Sequence, residues 1–260
     1  MSEDLLLDID GPVARLTLNR PKAMNALNLA IIGRLAALLP ELAANSEIRV
    51  LILTGSGPAF CAGADLKEAL LGPKANPGEL DFLARGAAVL DRLRAFPKPV
   101  IAALNGVTMA GGLEIALCAD ILLAAESARI GDAHANFGVF PGAGGAALLP
   151  RALPPNVANY LLLTGKSLSA AEMKQYGLVN EVHPDADLAA AAESLAKAIA
   201  AKSPIVLKRM KEVARASTDK SCADALLHEQ VMLRAHLTSW DLQEGLSSFN
   251  EKRVPQFRGY

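Results

Sequence analysis

The chain has 260 residues, with 26 Lys+Arg against 27 Asp+Glu for a formal net charge of -1, and is 52% hydrophobic but only 4% aromatic. This near-neutral balance, without a basic block carrying interleaved aromatics, argues against nucleic acid as a partner, and no uncharged apolar run reaches membrane-spanning length. Three scattered cysteines, Cys61, Cys118 and Cys222, suit neither a disulfide framework nor a zinc site, and the acidic start "MSEDLLLDID" is unlike a signal peptide, so a soluble, cytoplasmic protein is expected.

In chain order, "LLLDI" and "VARLTLN" flank Asp10–Gly11 and predict a hairpin. Helical spacing follows from about 28 to 44, with Pro40 expected to kink or end that helix early. "RVLILTG" (49–55) and "KPVIAAL" (98–104) are short continuous apolar runs, the pattern of buried strands. Between them a loop punctuated by Gly and Pro, 72–80, leads into a helix over 79–95. "DILLAA" (120–125) and "GLVNEV" (177–182) predict further strands, and the alternation with helices predicts an α/β fold with parallel sheet layers. From about 186 to 250 the pattern is helical, broken at Ser203–Pro204, near Asp219–Ser221 and near Ser239. The expected division is a core over 1–185 and a helical lobe over 186–260.

The stretch "MAGGLEIALCAD" (109–120) holds one carboxylate, Glu114, in a run otherwise small or apolar until Asp120. In a helix its neighbours one turn away are Ala110, Gly111, Leu117 and Cys118, so Glu114 has no polar face and is expected to be buried. A buried carboxylate finds partners or takes up a proton, and the raised pKa that follows suits a general acid or base. A structural Glu bonded to backbone amides or to a distant Arg has the same local signature.

Two strands lead into glycine-rich stretches, "TGSGPAFCAGADL" after 49–54 and "NGVTMAGGLE" after 98–104. Small residues let backbone approach a ligand closely, and a helix starting there presents unpaired N–H groups. Two such loops can aim two donors at one oxygen, the geometry of an oxyanion hole.

Together "FCAGADL" (60–66), "AGGLEIALCAD" (110–120) and "FGVFPGAGG" (137–145) resemble the enoyl-CoA hydratase/isomerase family, the crotonases. The likeness extends through "LNRPKAMNAL" (18–27), "LLTGKSLSAAEMKQYGLVNEV" (162–182) and "FNEKRVPQF" (249–257), nearly the whole chain. The resemblance implies a ββα spiral core with a C-terminal helical trimerisation lobe, assembled as a homotrimer or homohexamer. It implies an acyl-CoA thioester substrate of the kind met in fatty acid metabolism, with coenzyme A as part of that substrate and neither a prosthetic group nor a metal. The backbone amides of Ala64 and Gly111 match the family's oxyanion hole, and Ala62, Gly63, Ala64 and Asp65 match the segment that meets coenzyme A. Lys22 matches a basic position near the coenzyme phosphates, and Phe249 and Lys252 lie in a C-terminal motif that often touches CoA bound to a neighbouring subunit.

Glu114 falls on the first catalytic glutamate position of family hydratases, whereas the second holds His134, in "GDAHANFGVFPG". Histidine both donates and accepts near neutral pH, so a Glu–His pair can share the proton transfers of hydration. Asp132, two residues earlier, is the alternative inward-facing group. Cys61 as a nucleophile and "GAGGAA" (142–147) as a dinucleotide loop are set aside, the latter as a helix N-terminus behind the site. His183, His228 and His236 show no metal spacing. The leading expectation is an enoyl-CoA hydratase. Its rivals are another crotonase reaction, such as isomerisation, dienoyl-CoA hydration or C–C hydrolysis, favoured by His134, and an acyl-CoA-binding protein with little catalysis. The acyl pocket is expected from the 70–80 loop and the C-terminal helices around Trp240.

Overall fold

The computed structural model describes residues 3–71 and 78–260, so most of the expected 72–80 loop lies outside the described residues. Strands β1 (Leu5–Asp10) and β2 (Val13–Leu18) pair antiparallel about Gly11, whose φ of +54° suits a residue without a side chain. Helix α1 (Leu29–Ala44) starts where the Asn28 side chain accepts from Ile31 N at 2.9 Å, and it buries Ile31, Leu35, Leu38 and Leu42 against the core. Contrary to expectation, α1 does not end at Pro40 but runs on to Ala44. The carbonyl of Ala36, which loses its helical donor at residue 40, accepts from the Arg92 guanidinium at 3.3 Å instead.

From here the chain repeats one unit. β3 (Val50–Gly55), β5 (Val100–Leu104) and β7 (Ile121–Ala125) join a large sheet, and the short strands that follow them, β4 (Ala59–Cys61), β6 (Val107–Met109) and β8 (Arg129–Gly131), join a small one. Helices α2 (Leu66–Leu71) and α3 (Phe82–Arg94) follow the first pair and α4 (Gly111–Ala116) the second, so the core is a ββα spiral. The large sheet has the order β1-β2-β3-β5-β7-β10 and is parallel from β2 onward; the small one has the order β4-β6-β8-β9.

Helices α5 (Gly145–Ala152), α6 (Pro155–Thr164) and α7 (Ala170–Gln175) flank β9 (Ser167–Ser169), and β10 (Glu181–His183) closes the large sheet. The strand expected over 177–182 is confined to β10, because the amides of Leu178 and Val179 turn back onto the Met173 carbonyl at 3.0 and 3.3 Å rather than joining a ladder. Helix α8 (Leu188–Ala200) lays Leu188, Ala192, Ala196 and Ala200 on the large sheet. The packed core therefore continues past residue 185 to the end of α8.

Helices α9 (Pro204–Ser217) and α10 (Cys222–His236) bury none of their residues. α11 (Trp240–Glu251) is tied back by Asp241 and Glu244, which accept from the backbone amides of Arg258, Gly259 and Gln256 in the C-terminal tail. Among the described residues no helix is long and apolar enough to cross a membrane.

Candidate active site

The two glycine-rich loops meet because α4 lies against β4. A Cβ at Gly112 would stand 2.0 Å from the Cys61 carbonyl oxygen, so only glycine lets these segments touch. Ala110, which leads into α4, adopts φ 48°, a conformation costly for an L residue with a side chain, and so turns the chain sharply toward the helix. A Cβ at Gly111 would begin 3.4 Å from the Ala64 amide nitrogen. Around Ala64, Leu27 N donates to the Gly63 carbonyl at 2.8 Å and Asp65 N to the Leu27 carbonyl at 2.7 Å, while the N–H groups of Ala64 and Gly111 have no acceptor among the described residues. Two neighbouring amides are thus left free to hold one oxygen atom.

Glu114 is buried at 5% exposure and lines a cavity of about 200 Å³ that also includes Ala64 and Gly111. Its Oε1 accepts from the amides of Ala143 at 2.8 Å and Gly145 at 2.9 Å, where α5 begins. These donors replace water around the carboxylate without adding a countercharge. Its Oε2 receives no hydrogen bond from a described residue. "GAGGAA" thus supplies amides to a carboxylate from behind the site.

His134 lines the same cavity. Asp132 lies behind it at 1% exposure, and its Oδ1 accepts from the His134 amide at 3.2 Å and meets Nδ1 at 3.0 Å. An ionised carboxylate only accepts, so the proton sits on Nδ1 and Nε2 is the nitrogen left for the cavity. Burial of the ring opposes its charge, but the Asp132 hydrogen bond and the negative charges of Asp132 and Glu114 prevail, so the His134 pKa lies above its ordinary value.

Ala62 and Ala64 line the cavity, whereas Gly63 holds the turn between them at φ +117°. The Asp65 side chain is turned to structural work: Arg20 pairs with it at 3.0 Å, and against the opposing effect of burial this bond, the Arg20 charge and the amides of Lys67 and Glu68 hold its carboxyl below the ordinary range. Lys22 is exposed, as are Phe249 and Lys252, and none of the three lines the cavity. Trp240 does not shape the cavity either, because Arg258 sits over its ring at 4.6 Å and Tyr260 packs beside it. The apolar walls of the cavity come from α3 and the 137–143 segment, through Phe82, Leu83, Leu90, Phe137, Val139 and Phe140. Cys61 is fully buried and burial pushes its thiol pKa up to about 12, which removes it as a nucleophile. His183 is engaged with Glu181, His228 with Lys220 and His236 with Arg209, all outside the cavity.

Arg94 carries a role that the sequence did not signal. It closes α3 and donates from Nη2 to the Ala143 carbonyl at 3.1 Å, bracing the peptide segment whose amide holds Glu114. An arginine in the last turn of an amphipathic helix is ordinary, so no local pattern marks it. Phe137 and Phe140 are 71% and 83% exposed, a signal legible only as large aromatics flanking a glycine-rich loop.

The Enoyl-CoA hydratase/isomerase family pattern matches residues 8–260. The chain belongs to that family. It is similar to the 2,3-dehydroadipyl-CoA hydratase of Escherichia coli, 37% identical and covering 100% of each chain. It is also similar to the (E)-benzylidenesuccinyl-CoA hydratase of Thauera aromatica, 35% identical over 97% of this chain and 98% of that one. Among solved structures, an enoyl-CoA hydratase from Bacillus anthracis superposes with a TM-score of 0.92 at 34% identity, over 99% of this chain and 100% of that one. The fold is the crotonase fold, and the free amides, the buried Glu114 and the His134–Asp132 pair lie within a family of CoA enzymes.

Proposed function

We propose that the chain is an enoyl-CoA hydratase that adds water reversibly across the double bond of a 2-enoyl-CoA. The observation that carries this reading is one cavity wall on which two acceptor-free amides, Ala64 and Gly111, stand beside a buried carboxylate, Glu114. The thioester oxygen is held by the two amides, which favour the negative charge it gains as an enolate. Glu114 takes a proton from water as the oxygen bonds to the β carbon and the π electrons move toward the thioester. His134, entering as the imidazolium with a proton on each ring nitrogen, gives its Nε2 proton to the α carbon and keeps the one on Nδ1; the enolate collapses, and a proton passing from Glu114 back to Nε2 of His134 resets the pair.

Coenzyme A enters as part of the substrate, bound by the backbone of Ala62, Gly63, Ala64 and Asp65 and by Lys22, with Phe249 and Lys252 reaching it from a neighbouring subunit. The unpartnered faces of α9 and α10, where Met210, Leu226, Leu227, Val231 and Leu233 are exposed, support a homotrimer or a hexamer made of two trimers. In the 186–260 segment α8 thus closes the core, and the helices after it form the association lobe. The free thiols of Cys61, Cys118 and Cys222 fit a reducing, cytoplasmic setting. The relatives' names carry different acyl groups, so the acyl group is set by the lining. Among the described lining residues the only basic side chain is His134, which favours a neutral, apolar acyl group.

Loss of crotonyl-CoA absorbance on adding enzyme, with 3-hydroxybutyryl-CoA as product, tests the reading. Tight acyl-CoA binding without product from any thioester in a panel followed by mass spectrometry would make the protein a binding module instead. The His134–Asp132 pair favours one second reading, in which Glu114 and His134 move a proton between carbons and migrate the double bond. It predicts an isomer of unchanged mass in the same panel.

A further inference from the structure

Asp132 is the costliest residue beside the cavity. It is 1% exposed, both donors to its Oδ1 come from His134, and its Oδ2 is buried with no hydrogen-bond partner among the described residues. Leaving a carboxylate oxygen buried and unbonded costs stability. The turn that lets residues 132 and 134 meet adds to this, because Ala133 holds φ 61°, a left-handed conformation unfavourable for an L residue with a side chain. A side chain at Gly145 would begin 2.8 Å from Asp132 Oδ2 and 3.4 Å from Glu114 Oε1, so both carboxylates flank this one glycine. Strain and incomplete bonding are thus concentrated on a residue whose side-chain bonds all go to one histidine.

We propose that Asp132 is a positioning residue: by accepting the Nδ1 proton of His134 it fixes the ring tautomer, turns Nε2 to the cavity and stabilises the imidazolium that donates to the α carbon. The proposal rests on the reading of Glu114 and His134 as an acid–base pair. The charged groups that bear on the ring are Asp132 on its own segment and Glu114 on α4. Both favour its protonated form, but only Asp132 touches it. Asp132 itself is not a cavity-lining group, so it acts through His134 and not on substrate.

The test is Asp132→Asn, which keeps shape and removes charge, with Asp132→Glu as the charge-retaining control and His134→Ala to assign the ring signal among the four histidines. Nitrogen NMR of the ring reads tautomer and titration midpoint without any turnover. In the wild type Nδ1 carries the proton of the neutral ring; in Asp132→Asn the tautomers mix and the midpoint falls by about one pH unit. With crotonyl-CoA, kcat falls about 10- to 100-fold while KM stays within about twofold, and the alkaline limb of the kcat profile moves to lower pH with the midpoint. Asp132→Glu restores part of both changes.

An unchanged midpoint and tautomer in Asp132→Asn would overturn the proposal, as would a lowered melting temperature with an unmoved pH profile. Should Asp132→Asn not fold, a wild-type neutral ring carrying its proton on Nε2 overturns the proposal and one carrying it on Nδ1 supports it. If no enoyl-CoA turns over at all, the hydratase reading fails, and the NMR result still decides the role of Asp132.

Discussion

Glu114 and Asp120 stand six residues apart in one sequence run, both with apolar neighbours in the sequence, and the fold treats them in opposite ways. Glu114 is compensated by two neutral amides on one oxygen. Asp120 is consumed: Oδ2 accepts from Val100 N at 2.8 Å and from Lys211 at 2.6 Å, and Oδ1 accepts from Arg215 at 2.8 Å. A carboxylate bound by cations on both oxygens joins parts of a structure, here α9 to the core. One held by amides on a single oxygen has an oxygen to spare for chemistry.

The largest effect expected from this contrast is at Glu114. Glu114→Gln keeps an oxygen for the Ala143 and Gly145 amides and loses the base, so kcat toward crotonyl-CoA should fall by about 10² to 10⁴ while the melting temperature holds. Turnover at the wild-type rate would move the base elsewhere. The same contrast predicts a smaller loss from the wall around the carboxylate. In Gly145→Ala the new Cβ would sit 2.8 Å from Asp132 Oδ2 and 3.0 Å from the Pro141 Cβ, so α5 must shift and carry its amide away from Glu114. We expect kcat lower by about 30-fold, an intermediate loss for a displaced catalytic group, and a variant of full activity would show that this amide does not set the position of Glu114.

Much of the Glu114 side is legible in the sequence. A lone charge in an apolar run is visible residue by residue, and so are the glycines that permit close backbone contact, such as Gly112, where an added Cβ would stand 2.0 Å from the Cys61 carbonyl oxygen. The ββα order follows only from the family resemblance, whereas most of the large sheet is legible from continuous apolar runs. The small sheet is not, because strands of three residues such as β4 and β8 are too short to show a period. Pro40 misleads because the donor that compensates for it, Arg92, lies on another helix. The sequence pattern places α8 in the lobe because an Ala-rich helix shows the same spacing whether it packs on a sheet or on other helices. The fate of Asp120 is equally hidden, since both its cations come from residues about a hundred positions later.

At Asp120 the expected effect is on stability and not on rate. Asp120→Ala removes the carboxylate partner of Lys211 and Arg215, whose side chains are 10% and 30% exposed and then rest on the Lys98 and Cys118 carbonyls, and deprives Val100 N of an acceptor. Breaking a fully buried pair costs about 3–5 kcal/mol; partial exposure here reduces the figure to about 2 kcal/mol in urea unfolding, with kcat of the folded enzyme unchanged. A fall in kcat as large as that of Glu114→Gln would erase the distinction between the two carboxylates.

The smallest effect separates the two cations. Burial, opposed by the charge and hydrogen bond of Asp120 and aided by Arg215, brings the Lys211 pKa down from 10.5 to about 8. Between these values the unfolded chain holds a proton that the folded chain has shed, so unfolding takes up a proton and stability rises with pH across that window. The gain is complete above 10.5 and is lost as pH falls through 8. Lys211→Met should lack this rise, so its stability relative to wild type should drop by about 1 kcal/mol between pH 8 and pH 10, after allowance for partial exposure. Urea unfolding of both proteins at the two pH values reads the difference directly. Two parallel curves would mean that Lys211 stays charged and shares the bridge to Asp120 with Arg215; divergence would leave Arg215 as the cation that fastens α9 to the core in alkaline solution.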